Sequence, residues 1–297
     1  MRIMVEACGC VTCGATINAI HEAGHVCVAT DASEEAVGRW LADEFYRVPF
    51  ARDEEFTRFI RSFVIEKNID IVFPSLDDAL LKWAHLKPEL EKSGVHVMQS
   101  DMDTINICCD KWKLYNKFLE NSIPTPKTSL CQDYPLVKPR NGRGGEGVAV
   151  TDKPIPMANM ISQELLQGVE YTVDVFCNCL YEPVYIVPRV RMGVKDGKST
   201  AGIVLDKPQI VEWTKKICSV IHFTGPVNIQ CFETNEGIKF TEINPRFGGG
   251  TALGMAATEN WIPLIVDTII RHIPVIAKKD IKYGLKMGRY YAEVFCY

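Results

Sequence analysis

The sequence contains no uninterrupted apolar window of roughly 18 residues, the length a membrane-spanning helix requires. Its most apolar late segment, residues 261–270, is broken by Asp267 and reads as a buried helix. Positive charge is not in excess either. Lys and Arg number 33 against 37 Asp and Glu, the formal net charge is −4, and there is no basic tail and no block of like charge. Phosphate-backbone binding needs a basic face, so nucleic acid is excluded as a main partner. No internal repeat or low-complexity tract occurs. What remains is a globular chain of 297 residues, 47% hydrophobic, whose length suggests about two domains.

Cysteine, by contrast, is abundant, at 12 residues. Most sit singly in apolar runs, as Cys27, Cys218 and Cys231 do, where a thiol packs as a small hydrophobe. The opening MRIMVEACGC is interrupted by Glu6 and reads as a first strand rather than a signal peptide. A reduced cytoplasmic protein is the expectation. Cys8, Cys10 and Cys13 have CxCxxC spacing, but no second cluster follows. They read as small residues lining a tight strand-to-helix turn rather than as a metal centre.

Strand-like and helix-like patterns alternate over residues 1–100: strands at 2–6, 26–30, 69–75 and 95–100, helices at 14–23, 53–67 and 77–86. That alternation predicts a parallel sheet covered by helices. The turn GCVTCG is neither GxGxxG nor a Walker A loop, so no dinucleotide fingerprint is present. A helix at 110–121 stops at the proline-rich SIPTP. Short strands follow, then two longer alternating strands, a helix at 207–223, two more strands, and one long helix at 251–272.

Two stretches carry chemistry. In KPRNGRGGEGV, residues 138–148, Lys138 ends an apolar strand and heads a loop holding Gly142, Gly144, Gly145 and Gly147. Glycines let a backbone approach a ligand, successive amides can form an anion nest, and a lysine adds a point charge for phosphate. In NIQCFETNEGIKFTEINPR, a three-residue loop ending at Gly237 would set Phe232 opposite Phe240, Gln230 opposite Glu242 and Asn228 opposite Asn244. Glu242 and Asn244 would then share a face with Phe240. A two-residue loop would put Gln230 and Glu242 on opposite faces. Carboxylate and amide oxygens gathered on one surface suit Mg²⁺, and Arg246 follows where a phosphoryl group would need compensation.

These pieces, in their order, make the sequence resemble the ATP-grasp superfamily, most closely its carbamoyl-phosphate-synthase large-subunit-like ligases. The likeness covers nearly the whole chain, through CDKWKLYNKFLENSIPTPKT, PLVKPRNGRGGEGV, SQELLQGVEYTVDVF, GPVNIQCF and TEINPRFGGGT. It implies an α/β, α+β ATP-grasp architecture. A parallel-sheet pre-ATP-grasp domain at 1–105 precedes a small lobe with the glycine-rich loop at 106–167. A C-terminal lobe with the metal site follows at 168–297, and the two lobes clasp ATP. By the same resemblance Lys111 and Lys138 match the phosphate-binding cations, and the four loop glycines cover the phosphates. Glu164, Leu165 and Leu166 match the adenine segment, the first through its carbonyl and the last through its N–H. Glu170 matches the ribose ligand. Gln230, Glu242 and Asn244 match the Mg²⁺ (or Mn²⁺) ligands, and Arg246 the arginine near the γ-phosphate and acyl phosphate. Gln230 stands where many relatives carry an acid, which lowers the charge offered to metal.

The implied reaction is ATP-dependent ligation of a carboxylate to an amine, or to a thiol, through an acyl phosphate, with release of ADP and phosphate. Carboxy-phosphate or kinase-like chemistry, or a regulatory nucleotide-binding module, are the rival readings. Full carbamoyl phosphate synthesis uses two such units, and one is present here. Arg189 and Arg191 alternate on one strand and face the same side. Arg191 is the candidate anchor for an anionic substrate, beside a segment at 192–202 that reads as a mobile loop. Small-molecule substrates, no nucleic acid, no membrane and a homodimer are the expected partners.

Overall fold

The computed structural model describes all residues except Val11, Arg143, Asp196, Gly197, Tyr291, Cys296 and Tyr297, and of residues 194, 195, 198 and 199 only the backbone. In chain order the first elements are β1 (Arg2–Val5), α1 (Cys13–Glu22), β2 (Val26–Asp31), α2 (Gly38–Leu41), β3 (Glu44–Arg47), α3 (Phe56–Glu66), β4 (Ile71–Phe73), α4 (Leu80–Lys92) and β5 (His96–Val97). Their strands form a parallel sheet of order β3-β2-β1-β4-β5. The buried runs of Ile, Val and Phe in β1, β2 and β4 are what a sheet covered on both faces requires. β3 was not legible as a strand. It is short, and Glu44 is there for Arg2, whose guanidinium meets it at 2.6 and 2.9 Å.

Next come α5 (Met102–Cys108), α6 (Lys111–Glu120), β6 (Thr128–Ser129), β7 (Leu136–Pro139), β8 (Ala149–Val150) and β9 (Met160–Gln163), with a small antiparallel sheet ordered β6-β9-β7-β8. The last group is β10 (Val169–Cys177), β11 (Pro183–Lys195), β12 (Lys198–Val204), α7 (Pro208–Val220), β13 (Gly225–Thr234), β14 (Gly237–Asn244), α8 (Thr251–Ala257), α9 (Trp261–Ile269) and β15 (Lys286–Gly288). They build a six-stranded sheet ordered β14-β13-β10-β11-β12-β15. One buried cluster joins this sheet to the parallel one: Ile17 and Ile20 of α1 lie in the same core as Phe176, Trp261 and Ile265. Asn260 bonds the Ala19 carbonyl across that junction at 2.7 Å. A second core, with Phe118, Tyr171, Ile217 and Phe240, lies between α6, α7 and the six-stranded sheet.

Three expectations are corrected. The helix expected at 251–272 is two helices, because Thr258 leaves helical geometry (φ −124°, ψ −100°) and Asn260 caps a new start by accepting from the Ile262 amide. The segment expected as a mobile loop at 192–202 is strand on both sides, with Met192 paired to Ala201 and Val194 to Ser199. The helix expected at 77–86 begins as a 3₁₀ turn at Asp77–Ala79 and runs on as α4 to Lys92.

Candidate functional site

A cleft of about 220 Å³ opens between the small antiparallel sheet and the β13–β14 hairpin. Lys138, in β7, and Lys111, at the first position of α6, line it on one side. Asp110 fixes their arrangement. It caps α6 by accepting from the Trp112 and Lys113 amides at 2.9 and 3.2 Å, and it holds the Arg140 guanidinium at the base of the glycine loop. The Lys111 amide in turn donates to the Arg140 carbonyl, and the Lys111 ammonium to the Gly142 carbonyl at 3.1 Å. Helix start and loop base are therefore tied together, an arrangement that depends on an aspartate the sequence reading did not single out.

Among the described residues, neither lysine ammonium has a carboxylate within ion-pairing distance. Lys138 is half-buried by surface area but packed on most sides. Burial lowers its ammonium from 10.5 to about 8, with Glu242 pulling it back up and Lys111 pushing it further down. A desolvated cation beside a second cation is costly unless an anion joins them. The loop above it has Gly144, Gly145 and Gly147 at positive φ (61°, 79° and 69°). At Gly147 a Cβ would also meet Pro139 at 2.9 Å.

The opposite wall is the hairpin, and its geometry differs from the expected one in an informative way. Thr234 pairs with Gly237, so the turn is a two-residue one at Asn235-Glu236, and Phe232 lies opposite Lys239 rather than Phe240. Continued regularly, this register would turn Glu242 toward the core. A β-bulge intervenes instead: Cys231 pairs with Phe240 and Gln230 with Glu242, leaving Thr241 as the extra residue. Beyond the bulge Ile229 meets Ile243 and Asn228 meets Asn244. Phe240 is thereby fully buried on the core side, not on the face of Glu242 and Asn244, while Thr241 joins Glu242 and Gln230 in lining the cleft.

That face continues across the sheet. Glu170 pairs with Phe232, Thr172 with Gln230 and Asp174 with Asn228 on β10, and Thr172 pairs with Arg189 on β11. Arg189 is 3% exposed and ion-paired to the fully buried Asp174, at 2.6 Å. Asp174 also accepts from Asn228 at 3.0 Å and Thr251 at 3.3 Å. The glycines after Arg246 make room for this network. A Cβ at Gly248 would meet Asn228 at 2.7 Å, and one at Gly250 would meet the Arg189 guanidinium at 2.4 Å. Asp174 sits inside an apolar-looking strand, so only the alternation of VEYTVDVF could have marked it.

The remaining expected residues fall as follows. Glu164, Leu165 and Leu166 line the cleft with the apolar Leu136, Val148 and Phe232. The Glu164 carboxylate is drawn aside to Lys239, at 2.9 Å, which holds it below the usual carboxylate range. Glu170 stands at the edge of the same face, paired to Arg191 at 3.2 Å. Arg246 is committed to Asp77 through two 2.6 Å contacts and reaches Asn244 at 3.4 Å. Arg143 lies outside the described residues.

The donor set fits a hard cation. Among the described residues the side chains of Gln230 and Glu242 make no hydrogen bond, face one another, and border a buried Thr172 hydroxyl that has no partner. One carboxylate with amide oxygens is a weak cage by itself, of the kind that needs substrate phosphates to complete it. No group of three or more His, Cys, Asp or Glu side chains suited to a metal occurs among the described residues, the three N-terminal cysteines included. Nor is any described helix long and apolar enough to cross a membrane.

Comparison with known proteins agrees with this architecture. Residues 156–289 match the family model described as ATP-grasp in the biosynthetic pathway with Ter operon, and residues 7–98 match the PylC-like N-terminal domain. A carbamoyl-phosphate synthase of Methanobrevibacter smithii is 23% identical over 177 residues, covering 52% of this chain and 47% of the relative. The carbamoyl phosphate synthase large chain of Agathobacter rectalis is 26% identical over 246 residues, covering 69% of this chain and 22% of its own. The chain thus spans half or less of the length of these curated relatives. Among solved structures, the biotin carboxylase domain of the Hydrogenobacter thermophilus 2-oxoglutarate carboxylase, solved with MgADP and bicarbonate, superposes at TM-score 0.75. It is 15% identical, over 96% of this chain and 73% of that one. An L-amino acid ligase from Bacillus licheniformis superposes at 0.71 with 16% identity, over 90% of this chain and 73% of that one. The parallel N-terminal sheet and the two antiparallel sheets around the cleft thus form the ATP-grasp fold, and residues 156–289 carry the match to an ATP-grasp family model.

Proposed function

We propose that this chain is an ATP-dependent carboxylate–amine ligase that works through an acyl phosphate. The observation that carries the proposal is the pairing of opposites across one cleft. Among the described residues Lys111 and Lys138 form no ion pair, and they face Gln230 and Glu242, whose side-chain oxygens accept no hydrogen bond from those residues. A nucleoside triphosphate with its divalent cation satisfies both walls at once. In this reading residues 1–105, 106–167 and 168–297 are the pre-ATP-grasp domain, the small lobe and the C-terminal lobe.

The base lies between Leu136, Val148 and Phe232, against the backbone of Glu164–Leu166. Glu170 takes the ribose. Lys111, Lys138 and the loop amides hold the phosphates, and Glu242, Gln230 and Asn244 would hold Mg²⁺, which would supply neutralisation of the phosphate charge. A substrate carboxylate attacks the γ-phosphorus in line and ADP leaves. An amine then attacks the acyl carbon and phosphate leaves. The protein contributes position, water exclusion by the glycine loop and fixed positive charge, so no side chain needs to act as general base. Arg246 faces the developing charge from its seat on Asp77, and Arg191 anchors the acceptor anion.

The test is mass spectrometry of products from a panel of carboxylates and amines incubated with Mg·ATP. A condensed product formed with one ADP per bond, abolished in Lys138→Ala and Glu242→Ala, is the expected result. Bicarbonate-dependent carboxylation, a stable phosphorylated product without amine consumption, or nucleotide binding without turnover for any pair, would each replace the ligase reading.

A further inference from the structure

The loop between β1 and α1 carries three thiols that ligation does not use, and two of them form a unit. The Cys13 amide donates to the Cys10 carbonyl at 3.1 Å, closing a tight turn that ends on the first residue of α1. Such a turn keeps its end Cα atoms within about 7 Å, close to the range that a disulfide spans. The Cys13 thiol is buried and donates to the Cys8 carbonyl at 3.0 Å from the end of that same turn. Cys10 is half-buried, with its Sγ 3.2 Å from the Thr12 hydroxyl, and is the more accessible of the two thiols. Access is one condition of thiol reactivity. Cys8 differs. It is fully buried, donates to the Val5 carbonyl at 3.1 Å, and packs so closely on Gly38 that a Cβ there would come within 2.3 Å of its own Cβ.

We propose that Cys10 and Cys13 are a redox-active dithiol, closed to a disulfide by a low-molecular-weight disulfide, and that closure acts on the neighbouring cleft. The Cys10 thiolate attacks one sulfur of the oxidant, giving a mixed disulfide and one departing thiolate. Cys13, deprotonated, then attacks the Cys10 sulfur and expels the second thiolate. The two protons lost by the protein are taken up by the two departing thiolates, so two protein thiols become one disulfide and one oxidant molecule becomes two thiols. The route to the cleft is short. Thr12, between the two cysteines, lies against the turn after Arg246, where a Cβ on Gly249 would be 3.6 Å from its methyl group. The Gly249 carbonyl also receives Arg289. Bridging draws Cys10 away from the Thr12 hydroxyl and Cys13 away from the Cys8 carbonyl, which it now meets at 3.0 Å. Thr12 then shifts against the turn that carries Arg246 and Gly248–Gly250.

The thiol chemistry stands apart from the ligase reading, whereas its effect on the cleft rests on that reading. The experiment separates them. The reduced full chain is incubated with glutathione disulfide, blocked with iodoacetamide, and mapped by tandem mass spectrometry. The expected result is a Cys10–Cys13 bridge, seen as loss of two hydrogens with neither residue alkylated, and reversed by dithiothreitol. Persistent alkylation of both cysteines while the exposed Cys131 reacts with the oxidant, or a bridge from either to Cys8, overturns the dithiol. Nucleotide affinity is then measured on the reduced and bridged forms in a Cys131→Ser background. A fall of about fivefold on bridging, absent in Cys13→Ala, is expected. Unchanged affinity overturns the coupling, and failure of both forms to bind nucleotide overturns the ligase reading together with the coupling, but leaves the mapped bridge standing.

Discussion

Arg246 and Asp77, 169 positions apart, share a two-pronged ion pair with both nitrogen–oxygen contacts at 2.6 Å. The aspartate comes from the 3₁₀ turn after β4, the arginine from the end of β14. The pair therefore ties the parallel sheet to the hairpin that carries Gln230 and Glu242. Its fork geometry fixes the guanidinium in plane and in direction. Asp77→Ala leaves a largely enclosed guanidinium without its counter-charge, and loss of one partner of such a pair costs about 3 kcal/mol. The expected outcome is a lowered melting temperature together with at least a tenfold fall in kcat, read by thermal unfolding and steady-state kinetics. Asp77→Asn keeps one hydrogen bond and should lose less of both. Equal losses in the two variants would show that charge alone matters and the fork does not.

Lys138 should make both stability and nucleotide binding depend on pH, in opposite senses. Its ammonium is at about 8 in the folded chain against 10.5 for the ordinary side chain. Between those values the unfolded chain binds more protons, so stability of the empty protein rises with pH across that window. A bound triphosphate restores the charged form. Affinity should therefore be flat below pH 8 and fall by up to about tenfold per pH unit above it, with a proton taken up on binding. Calorimetry in buffers of different ionisation enthalpy measures that proton directly. Lys138→Met should abolish the uptake and stabilise the empty fold below pH 8.

Glu6 titrates the other way. It is 6% exposed at the end of β1, accepting from the Trp83 indole at 2.6 Å and the Ser75 amide at 3.1 Å. Burial outweighs these bonds and pushes the carboxyl from 4.5 up to about 7. The folded chain thus holds the proton that the unfolded chain has released, and stability falls as pH rises from 4.5 to about 7. The difference amounts to about 3 kcal/mol at most. Denaturation curves across that range should show the decline, and Glu6→Gln should flatten it, whatever its effect on absolute stability.

How much of this was legible beforehand follows from the range of each interaction. The parallel sheet is written in runs of β-branched and aromatic residues, and the loop glycines and Lys138 are local. The opposition of Gln230 and Glu242 was reached through a turn that does not occur. The hairpin closes one residue earlier than expected, and Thr241 bulges to restore the pairing. Alternation cannot reveal a bulge, because bulged and regular strands carry the same residues. Asp77, Asp110 and Asp174 were missed for a different reason. Each acts on a residue distant in sequence — Arg246, Arg140 and Asn228 — and no local pattern records such a partner. The break between α8 and α9 was written in sequence, in Asn260 as a cap, but the apolar periodicity on both sides masked it.

Gly168 joins the small sheet to β10, and so sits where the two walls of the cleft would hinge. Its φ is +154°, and a Cβ built there would lie 2.1 Å from the Glu233 carbonyl oxygen, inside van der Waals contact. The backbone cannot yield easily, because Val169 pairs with Glu233 in the next ladder position. Glu233 itself is held by Lys207 at 2.7 Å and by the Tyr171 hydroxyl at 2.9 Å. Gly168→Ala must therefore either break the first rung of β10 or displace Glu233 from both partners. Destabilisation of more than about 1 kcal/mol is expected, with nucleotide affinity reduced because Leu165 and Leu166 lie just upstream. A second variant, Glu233→Gln, loosens the latch without touching the glycine. If Gly168→Ala melts like the parent protein and binds nucleotide as well, the hinge has freedom that this close approach denies it.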